Sequence, residues 1–235
     1  MMSITDHAMV QKALRKIEQH GLAGALHRAW IKLVNRMLAF KILRAMHVGR
    51  ADPAFLACPK PYTAGFVDAE ALAESTRDPA ADLSPQFVPA ALGAGDECLA
   101  IFCRGKLAAY GWYSTRPTPA VSPELLLHFA PGYVYMYKGF TLPGHRGHRL
   151  HAIGKTRALR HYQTKGYRGL LSYVESTNFD SLKSNYRMGY ETFGSIYVVR
   201  LFGRYFAFAS PGCRRFDFRL ERASAPARLL RRGKA

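Results

Sequence analysis

The sequence predicts an α/β chain built on one mixed sheet, preceded by an additional amphipathic helix at the N-terminus. Three observations lead to this class. Short β-prone runs alternate with helical patterns along most of the chain, and two of these runs are joined by a tight-turn signal. The composition is that of an ordinary globular protein, because 49% of the 235 residues are hydrophobic and 21% are charged.

The first element is a helix from about His7 to Leu38, in which apolar residues recur every three to five positions and so form one face. A bend is expected near Gly21 or Gly24. Lysines and arginines occupy the opposite face. A basic amphipathic helix either packs on its own domain or lies on an anionic membrane surface, and both alternatives stay open for this N-terminal segment, residues 1–40.

Turn and cap signals give the order of the later elements. Ser84 and Pro85 indicate a helix start, since serine caps a first turn and proline fits its first position. Arg104-Gly105-Lys106 separates two apolar runs and predicts a hairpin. In order, we predict a strand at 42–48, helices at 68–77 and 84–92, hairpin strands at 97–102 and 107–113, a strand at 133–142, a helix at 145–165, a strand at 169–174, a helix at 179–187, a β-prone stretch at 191–208 and a basic tail at 211–235.

The charge balance is unusual. Thirty-four Lys and Arg against sixteen Asp and Glu give a net charge of +18 at pH 7. This favours an anionic partner such as phosphate, nucleic acid or lipid, but does not select one. Nucleic-acid binding is the less favoured alternative, because the sequence has no helix-turn-helix, zinc-finger or RNP pattern and residues 51–135 hold nine acidic and five basic residues.

Cysteine spacing and hydropathy indicate whether the protein binds a metal and in which compartment we expect it. Cys58, Cys98, Cys103 and Cys213 form no CxxC pair and no metal-ligand pattern, so we predict reduced thiols and no bound metal. The N-terminal residues lack the apolar core of a secretory signal, and no apolar run reaches the roughly 18 residues of a membrane span. We expect a cytoplasmic protein, with peripheral contact to the inner face of a membrane as a variant.

Residues 137–190 carry the most informative pattern. A strand, Tyr137-Lys-Gly-Phe-Thr-Leu142, runs into Pro143-Gly-His-Arg-Gly-His-Arg-Leu-His151, and a helix follows. Glycines and basic residues where a strand enters a helix form an anion site, because the first-turn N–H groups lack helical acceptors and the helix dipole favours negative charge there. The spacing is neither that of a P-loop nor GxGxxG. The pattern predicts that this turn binds phosphate groups.

This run resembles the acyl-CoA loop of the GCN5-related N-acetyltransferases, V-x-P-x-x-R-G-x-G-[IL]-[GA], and matches it at Pro143, Arg146, Gly147 and Leu150. A second signature of that family, N-x-x-[AS] followed by G-[FY], is similar to Asn178-Phe-Asp-Ser181 and Gly189-Tyr190, eleven residues after Asn178. The resemblance covers about residues 95–205. It implies a mixed, mostly antiparallel central sheet flanked by helices, within an acyltransferase domain that we place at 41–210.

The resemblance also implies a function. The protein would be an N-acyltransferase that transfers an acyl group, most simply acetyl, from acyl-CoA as co-substrate to an amine acceptor. An acidic acyl-carrier protein is an alternative donor. The implied donor-binding residues are the strand main chain of Phe140, Thr141 and Leu142, the loop residues Arg146, Gly147, His148, Arg149, Leu150 and His151, and the second-motif residues Asn178 and Ser181.

Two loop positions depart from the family pattern. Arg149 replaces the second glycine, which lets a backbone approach phosphate closely, and His151 replaces a small residue. Arg149 must therefore point outward or bind phosphate itself. A domain that binds acyl-CoA without catalysing transfer is the corresponding alternative function.

The catalytic groups follow less directly. Many relatives protonate the leaving thiolate with a tyrosine at the position that Asn185 occupies here, and Tyr186 lies one step later, about 100° around a helix. We take Tyr186 and Asn185 as candidates near the leaving group. Glu175 and Tyr137 are candidates for the base that deprotonates the amine, with His128 and His145 as weaker ones; a water relay is the alternative.

Overall fold

The computed structural model describes residues 23–24, 26–33 and 39–223. Eleven strands are formed there: β1 (Phe40–Val48), β2 (Tyr62–Val67), β3 (Glu97–Cys103), β4 (Lys106–Ser114), β5 (Thr118–Ala120), β6 (Ser122–His128), β7 (Tyr133–Thr141), β8 (Gly169–Glu175), β9 (Glu191–Leu201), β10 (Arg204–Ala209) and β11 (Arg219–Arg222). Eight of them make one sheet in the order β10-β9-β1-β8-β7-β4-β3-β2, and β11-β6-β5 make a second. Within these residues every neighbouring pair is antiparallel except β7 and β8.

In the described residues five α-helices accompany the sheets: α1 (in residues 23–24 and 26–33), α2 (Ala69–Ala73), α3 (Phe87–Gly93), α4 (Leu150–Thr164) and α5 (Phe179–Arg187). Local signals start several of them. The Ser84 hydroxyl accepts a hydrogen bond from the Phe87 amide just before α3 (3.1 Å), and Asp68 caps α2 through the Ala71 amide. Helix α4 begins at Leu150 rather than at 145, because residues 143–145 form a 3-10 turn.

The large sheet separates two apolar layers. Alternate side chains of a strand point to opposite faces, so Met46 and Val48 of β1 pack toward α4, whereas Leu43 and Ala45 pack toward the second sheet. Helices α2 and α3 enclose a third cluster around Trp112. The cores on both faces hold β7 and β8 in fixed positions.

Helix α1 lies against the start of α5. The His27 ring nitrogen is 3.0 Å from the Ser176 hydroxyl, and the Arg28 guanidinium donates to the Thr177 carbonyl at 2.6 Å. The rest of the predicted segment 1–40, namely 1–22, 25 and 34–38, lies outside the described residues.

The predicted tail at 211–235 requires a correction. Residues Pro211–Phe216 form a 3-10 helix and β11 follows, so the chain up to residue 223 belongs to the domain. Phe216, Phe218 and Leu220 are buried between the two sheets. Burial of these apolar side chains outweighs the basic character of the segment; residues 224–235 lie outside the described part.

Three general findings bear on the earlier expectations. None of the four cysteines forms a disulfide. Among the described residues, no helix is long and apolar enough to cross a membrane. The same residues contain no group of three or more His, Cys, Asp or Glu side chains placed to hold a metal ion.

Candidate functional site

A cleft opens where β7 and β8 diverge. The two strands pair in parallel only at Tyr133–Tyr135 against Gly169–Leu171, and beyond this junction they separate around a cavity of about 390 Å³. Because the strands no longer bond each other there, their facing backbone groups are available to a ligand. The cleft is lined by Met136, Tyr137 and Gly139 of β7, by Ser172, Tyr173, Val174 and Glu175 of β8, and by His151, Lys155, Asn178, Ser181 and Asn185 of the helices and their starts.

The basic loop that enters α4 forms the mouth of this cleft. Gly147 and Arg149 both have left-handed backbones, with φ of +85° and +59°. Arg149 therefore keeps the conformation that glycine would adopt there, at a cost of about 1 kcal/mol. The side chains of Arg146, His148 and Arg149 are exposed. These residues directly precede the first turn of α4, whose amides have no helical acceptors. The turn thus has the charge and the free amides on which the anion-site prediction rests.

Two contacts fix this loop to its surroundings. The Tyr62 hydroxyl lies 3.3 Å from His145 Nδ1, and its ring packs against His148. His151 points inward instead: a Cβ added to Gly139 would lie 2.9 Å from the His151 ring. Burial, reinforced by nearby Lys155, holds the pKa of His151 well below its usual range. His151 is thus neutral and does not add to the loop's charge as the sequence suggested.

The main chain of β7 offers fewer groups than predicted. The Leu142 amide donates to the Ala108 carbonyl at 2.9 Å, and Phe140 is paired opposite Tyr110 of β4. Because backbone groups alternate sides along a strand, Thr141 and Gly139 face the cleft, and Leu142 and Phe140 face β4. Of the three predicted strand residues, only Thr141 turns its backbone away from β4, and its carbonyl accepts a hydrogen bond from the Arg146 side chain at 3.4 Å.

Lys155 is the residue that sequence reasoning missed. Its side chain is buried, with 5% of the residue exposed, and its ammonium donates to Asn185 Oδ1 at 2.7 Å. None of the ion pairs in the described part of the chain includes it. Burial lowers its pKa from 10.5 to about 7. The available signal was a lysine on the apolar face of α4, between Ile153 and Leu159.

The two residues predicted near the leaving group point in different directions. Asn185 is 2% exposed and reaches the cleft, whereas Tyr186 is 52% exposed and its hydroxyl is 2.9 Å from the Thr192 hydroxyl. Tyr186 lines a separate cavity with His27. The one-residue step turns Tyr186 away from the cleft, so we do not retain it as a catalytic candidate. Asn185 has no titrating proton and holds Lys155.

The predicted bases are also separated. Glu175 lines the outer part of the cleft and is ion-paired with Lys41 at 2.5 Å. The Tyr137 hydroxyl donates to Asp96 at 2.8 Å, and burial raises the pKa of Tyr137, so it is not a base at neutral pH. His128 contacts Glu221 in the second sheet, and His145 is held by Tyr62, so both lie outside the cleft.

The second-motif residues lie at the end of the cleft nearest α5. Asn178 Oδ1 accepts a hydrogen bond from the Ser181 amide at 3.2 Å and so caps α5. Both residues line the cleft. The cap explains the asparagine without reference to a ligand. Because the donor is the backbone amide of Ser181, the cap does not require a small side chain at that position.

Comparison with known proteins concerns the fold. No protein-family model matches the sequence, and no curated protein is similar to it. A Drosophila protein of solved structure is 15% identical, with a TM-score of 0.50, over 77% of this chain and 58% of its own. A GCN5-related N-acetyltransferase-like protein from Streptococcus suis is 14% identical, with a TM-score of 0.48, over 73% of this chain and 68% of its own. A tandem GNAT protein from the clavulanic acid biosynthesis pathway is 19% identical, with a TM-score of 0.46, over 72% and 54%.

The chain therefore spans little more than half the length of two of these structures. At such identities the likeness describes architecture alone. The mixed, mostly antiparallel sheet, its diverging parallel pair and the flanking helices confirm the predicted GCN5-related N-acetyltransferase fold.

Proposed function

We propose that the protein is an N-acyltransferase that uses an acyl-CoA thioester as donor and an amine as acceptor. The observation that carries this proposal is the divergence of β7 from β8 beside the basic first turn of α4. A CoA donor has an anionic pyrophosphate at one end of an extended arm that contains two amides. The mouth matches the anion, and the backbone of Gly139, which faces away from β4, matches the amides.

The chemistry requires little more than alignment. The thioester is already activated, so the protein must orient the amine, accept its proton and stabilise the leaving group. We propose Glu175 as the base, because it is the carboxylate that lines the cleft in the described structure. The Lys41 ammonium lies 2.5 Å from this carboxylate and fixes its position.

Thermal unfolding with acetyl-CoA, CoA and longer acyl-CoAs tests the donor site. A ligand that binds the native state raises the unfolding midpoint by mass action. We expect a rise that is lost or strongly reduced in Arg146→Ala. Arg160→Ala is the matched control, since Arg160 is an exposed arginine of α4 beyond the loop. No rise with any of these ligands contradicts the proposal.

Thiol release from acetyl-CoA in the presence of a panel of primary amines tests the reaction. We expect release that depends on both the amine and the protein. Stabilisation by CoA without release for any amine would instead favour the acyl-CoA-binding domain without catalysis.

We further propose that the protein works at an anionic membrane surface. The exposed apolar side chains of the β9–β10 hairpin, which we call the hairpin face, are Tyr197, Leu201, Phe202, Phe206 and Phe208. Helix α1 adjoins this face, because exposed Trp30 contacts Phe40, which is paired opposite Val199 of β9. Contiguous exposed apolar groups of this kind mark interaction surfaces.

A second hairpin shows that turn geometry does not require a phenylalanine. The tips of β3–β4 and β9–β10 are both two-residue turns, Arg104-Gly105 and Phe202-Gly203. Their φ values agree closely, +51° and +80° against +47° and +77°. A left-handed backbone is costly for a bulky residue, yet Phe202 is 96% exposed. Phe202 thus gains nothing within the domain, which supports an external role.

Charge selects the partner that we propose for the hairpin face. Arg200 and Arg204 flank its tip, and Lys32 is exposed on the adjoining α1. The whole chain has a net charge of +18. Aromatic side chains with nearby cations fit an interface of acyl chains and anionic headgroups.

Sedimentation with phosphatidylcholine vesicles, with and without phosphatidylglycerol, tests this surface. We expect binding that requires the anionic lipid. Phe202→Ser and Phe208→Ser should each weaken it by about tenfold, because a buried phenylalanine contributes about 1.5–3 kcal/mol. Arg104→Ser, at the other hairpin tip, is the control. Unchanged binding by both phenylalanine variants contradicts the proposal, and a protein dimer that these variants dissociate would assign the face to a second copy.

A further inference from the structure

The cleft has two chemically different ends. Its inner end is next to Met136 and Ser172, which directly follow the last paired residues of β7 and β8. Its mouth is the basic loop before α4. Because α4 connects two parallel strands, it runs back from the mouth toward the junction, and Lys155 lies about 6 Å further along the helix axis than His151. A donor with its phosphates at the mouth extends its thioester toward Lys155.

Lys155 is a buried cation whose contacts are neutral. Its ammonium donates to Asn185 and lies 4.8 Å from the centre of the Tyr190 ring. The carboxylate that lines the cleft, Glu175, is engaged by Lys41 instead. A buried ammonium without an anion reduces stability, and a group of this kind in a ligand cleft is a candidate for proton transfer.

We propose that the Lys155 ammonium protonates the sulfur that leaves during acyl transfer, an inference that rests on the proposed function. The acceptor nitrogen forms a bond to the carbonyl carbon, the C–S bond breaks, and one proton moves from Nζ to sulfur, so that CoA leaves as a thiol. The attacking amine loses one proton to Glu175. That proton passes to solvent, and neutral Lys155 regains one from solvent.

The surroundings of Lys155 suit a proton donor. Burial brings the pKa of Lys155 to about 7, below the roughly 8.5 of an ordinary thiol, so transfer to a thiolate is favourable. Asn185 acts as a positioning residue by fixing the ammonium at 2.7 Å.

The other titratable groups that face the cleft do not compete for this role. Burial holds the pKa of His151 below its usual range and raises that of Tyr190. Tyr137 donates a hydrogen bond to Asp96, and the Tyr173 ring stacks on the ring of Tyr135. Glu175 lies in the outer part of the cleft, away from the junction.

The test compares Lys155→Met with Lys165→Met, which removes an exposed lysine after the last turn of α4. The turnover number kcat for thiol release from acetyl-CoA is measured as a function of pH, with the amine of the panel that reacts fastest. We expect Lys155→Met to lower kcat about 100-fold or more and to keep the stabilisation by CoA. Lys165→Met should behave as the wild type does.

Asn185→Asp adds a readout that a structural role would not change. An ionised carboxylate at 2.7 Å favours the ammonium and raises the pKa of Lys155. The reaction needs the protonated lysine, so wild-type kcat declines as the pH rises through the pKa of Lys155. In Asn185→Asp this decline should move to higher pH, and in Lys155→Met it should disappear.

The outcomes separate the two proposals. Absence of CoA binding, or binding without thiol release in the wild type, overturns the proposed function and the role of Lys155 with it. Wild-type turnover and pH dependence in Lys155→Met overturn the role of Lys155 alone. Loss of activity in Lys155→Met with an unmoved decline in Asn185→Asp assigns Lys155 a structural role and also overturns the inference.

Discussion

In the cleft a lysine ammonium is buried without an anion, whereas on the hairpin face five apolar side chains are exposed. Charged groups are usually exposed and large apolar groups usually buried, so each arrangement is the reverse of the common one. The buried charge reduces stability, and the exposed apolar side chains contribute little to it. Residues that reduce stability in this way are expected at functional sites. The buried charge in the cleft fits our proposal of a polar reaction there, and the exposed apolar groups of the hairpin face fit our proposal of an apolar partner.

The largest expected effect on stability is at Lys155. The pKa of Lys155 is about 7 in the folded protein and 10.5 for a lysine exposed to water, as in the unfolded chain. The folded state therefore disfavours the charged form. The penalty is complete below pH 7, on the order of 5 kcal/mol, and it shrinks as the pH rises toward 10.5. Lys155→Met should therefore have a higher free energy of unfolding than the wild type, and this difference should be largest at low pH. Denaturant unfolding of both proteins at several pH values measures the difference.

Lys165→Met is the control for this comparison, because its ammonium is exposed and paired with Glu97. A stability difference between Lys155→Met and the wild type that does not vary with pH would show that Lys155 is not buried as a cation. The cleft would then contain no buried charge to compare with the exposed apolar groups of the hairpin face.

An intermediate effect is expected at the two left-handed residues, Arg149 at the cleft mouth and Phe202 at the hairpin tip. Each has a positive φ, +59° and +47°. Glycine has no steric penalty there, so Arg149→Gly and Phe202→Gly should each raise the free energy of unfolding by about 1 kcal/mol. Equilibrium denaturation measures both. Destabilisation by either substitution would mean that its side chain contributes packing, contrary to its exposure.

The smallest effect is expected at Phe208. It is exposed on β10, so Phe208→Ser should change the free energy of unfolding by no more than about 0.5 kcal/mol. Phe218→Ser is the internal comparison, because Phe218 is buried between the sheets and its loss should cost about 3 kcal/mol or more. Comparable losses for the two would show that the hairpin face is packed within the domain.

Much of the fold followed from local patterns. The hairpin at Arg104-Gly105 is confirmed with a left-handed turn at both residues, and the predicted helix at 179–187 matches α5. Strand β2 and the second sheet escaped prediction. They are short, and their pairing with β3 and among β5, β6 and β11 joins distant or weakly patterned segments. The buried role of Phe216 and Phe218 was hidden by the arginines around them.

Part of the candidate site was also predictable from the sequence and part was not. The loop from Pro143 to Leu150 could be predicted from the sequence, because the features that indicate an anion site there are local: a strand end, glycine and a helix start. The catalytic groups could not. Whether Asn185 or Tyr186 faces the cleft depends on the rotation of α5, which its packing decides.

By itself, the sequence determined the order of elements from β1 to α5 apart from β2, β5 and β6, together with the basic loop and the unusual charge, since each depends on neighbours along the chain. Only the tertiary structure decided that β7 and β8 separate after three paired residues, that Lys155 meets Asn185, and that Phe202 is exposed at the hairpin tip. These features depend on which distant segments of the chain pack together. Burial sets the pKa of Lys155, and burial results from that packing rather than from the identity of the residue.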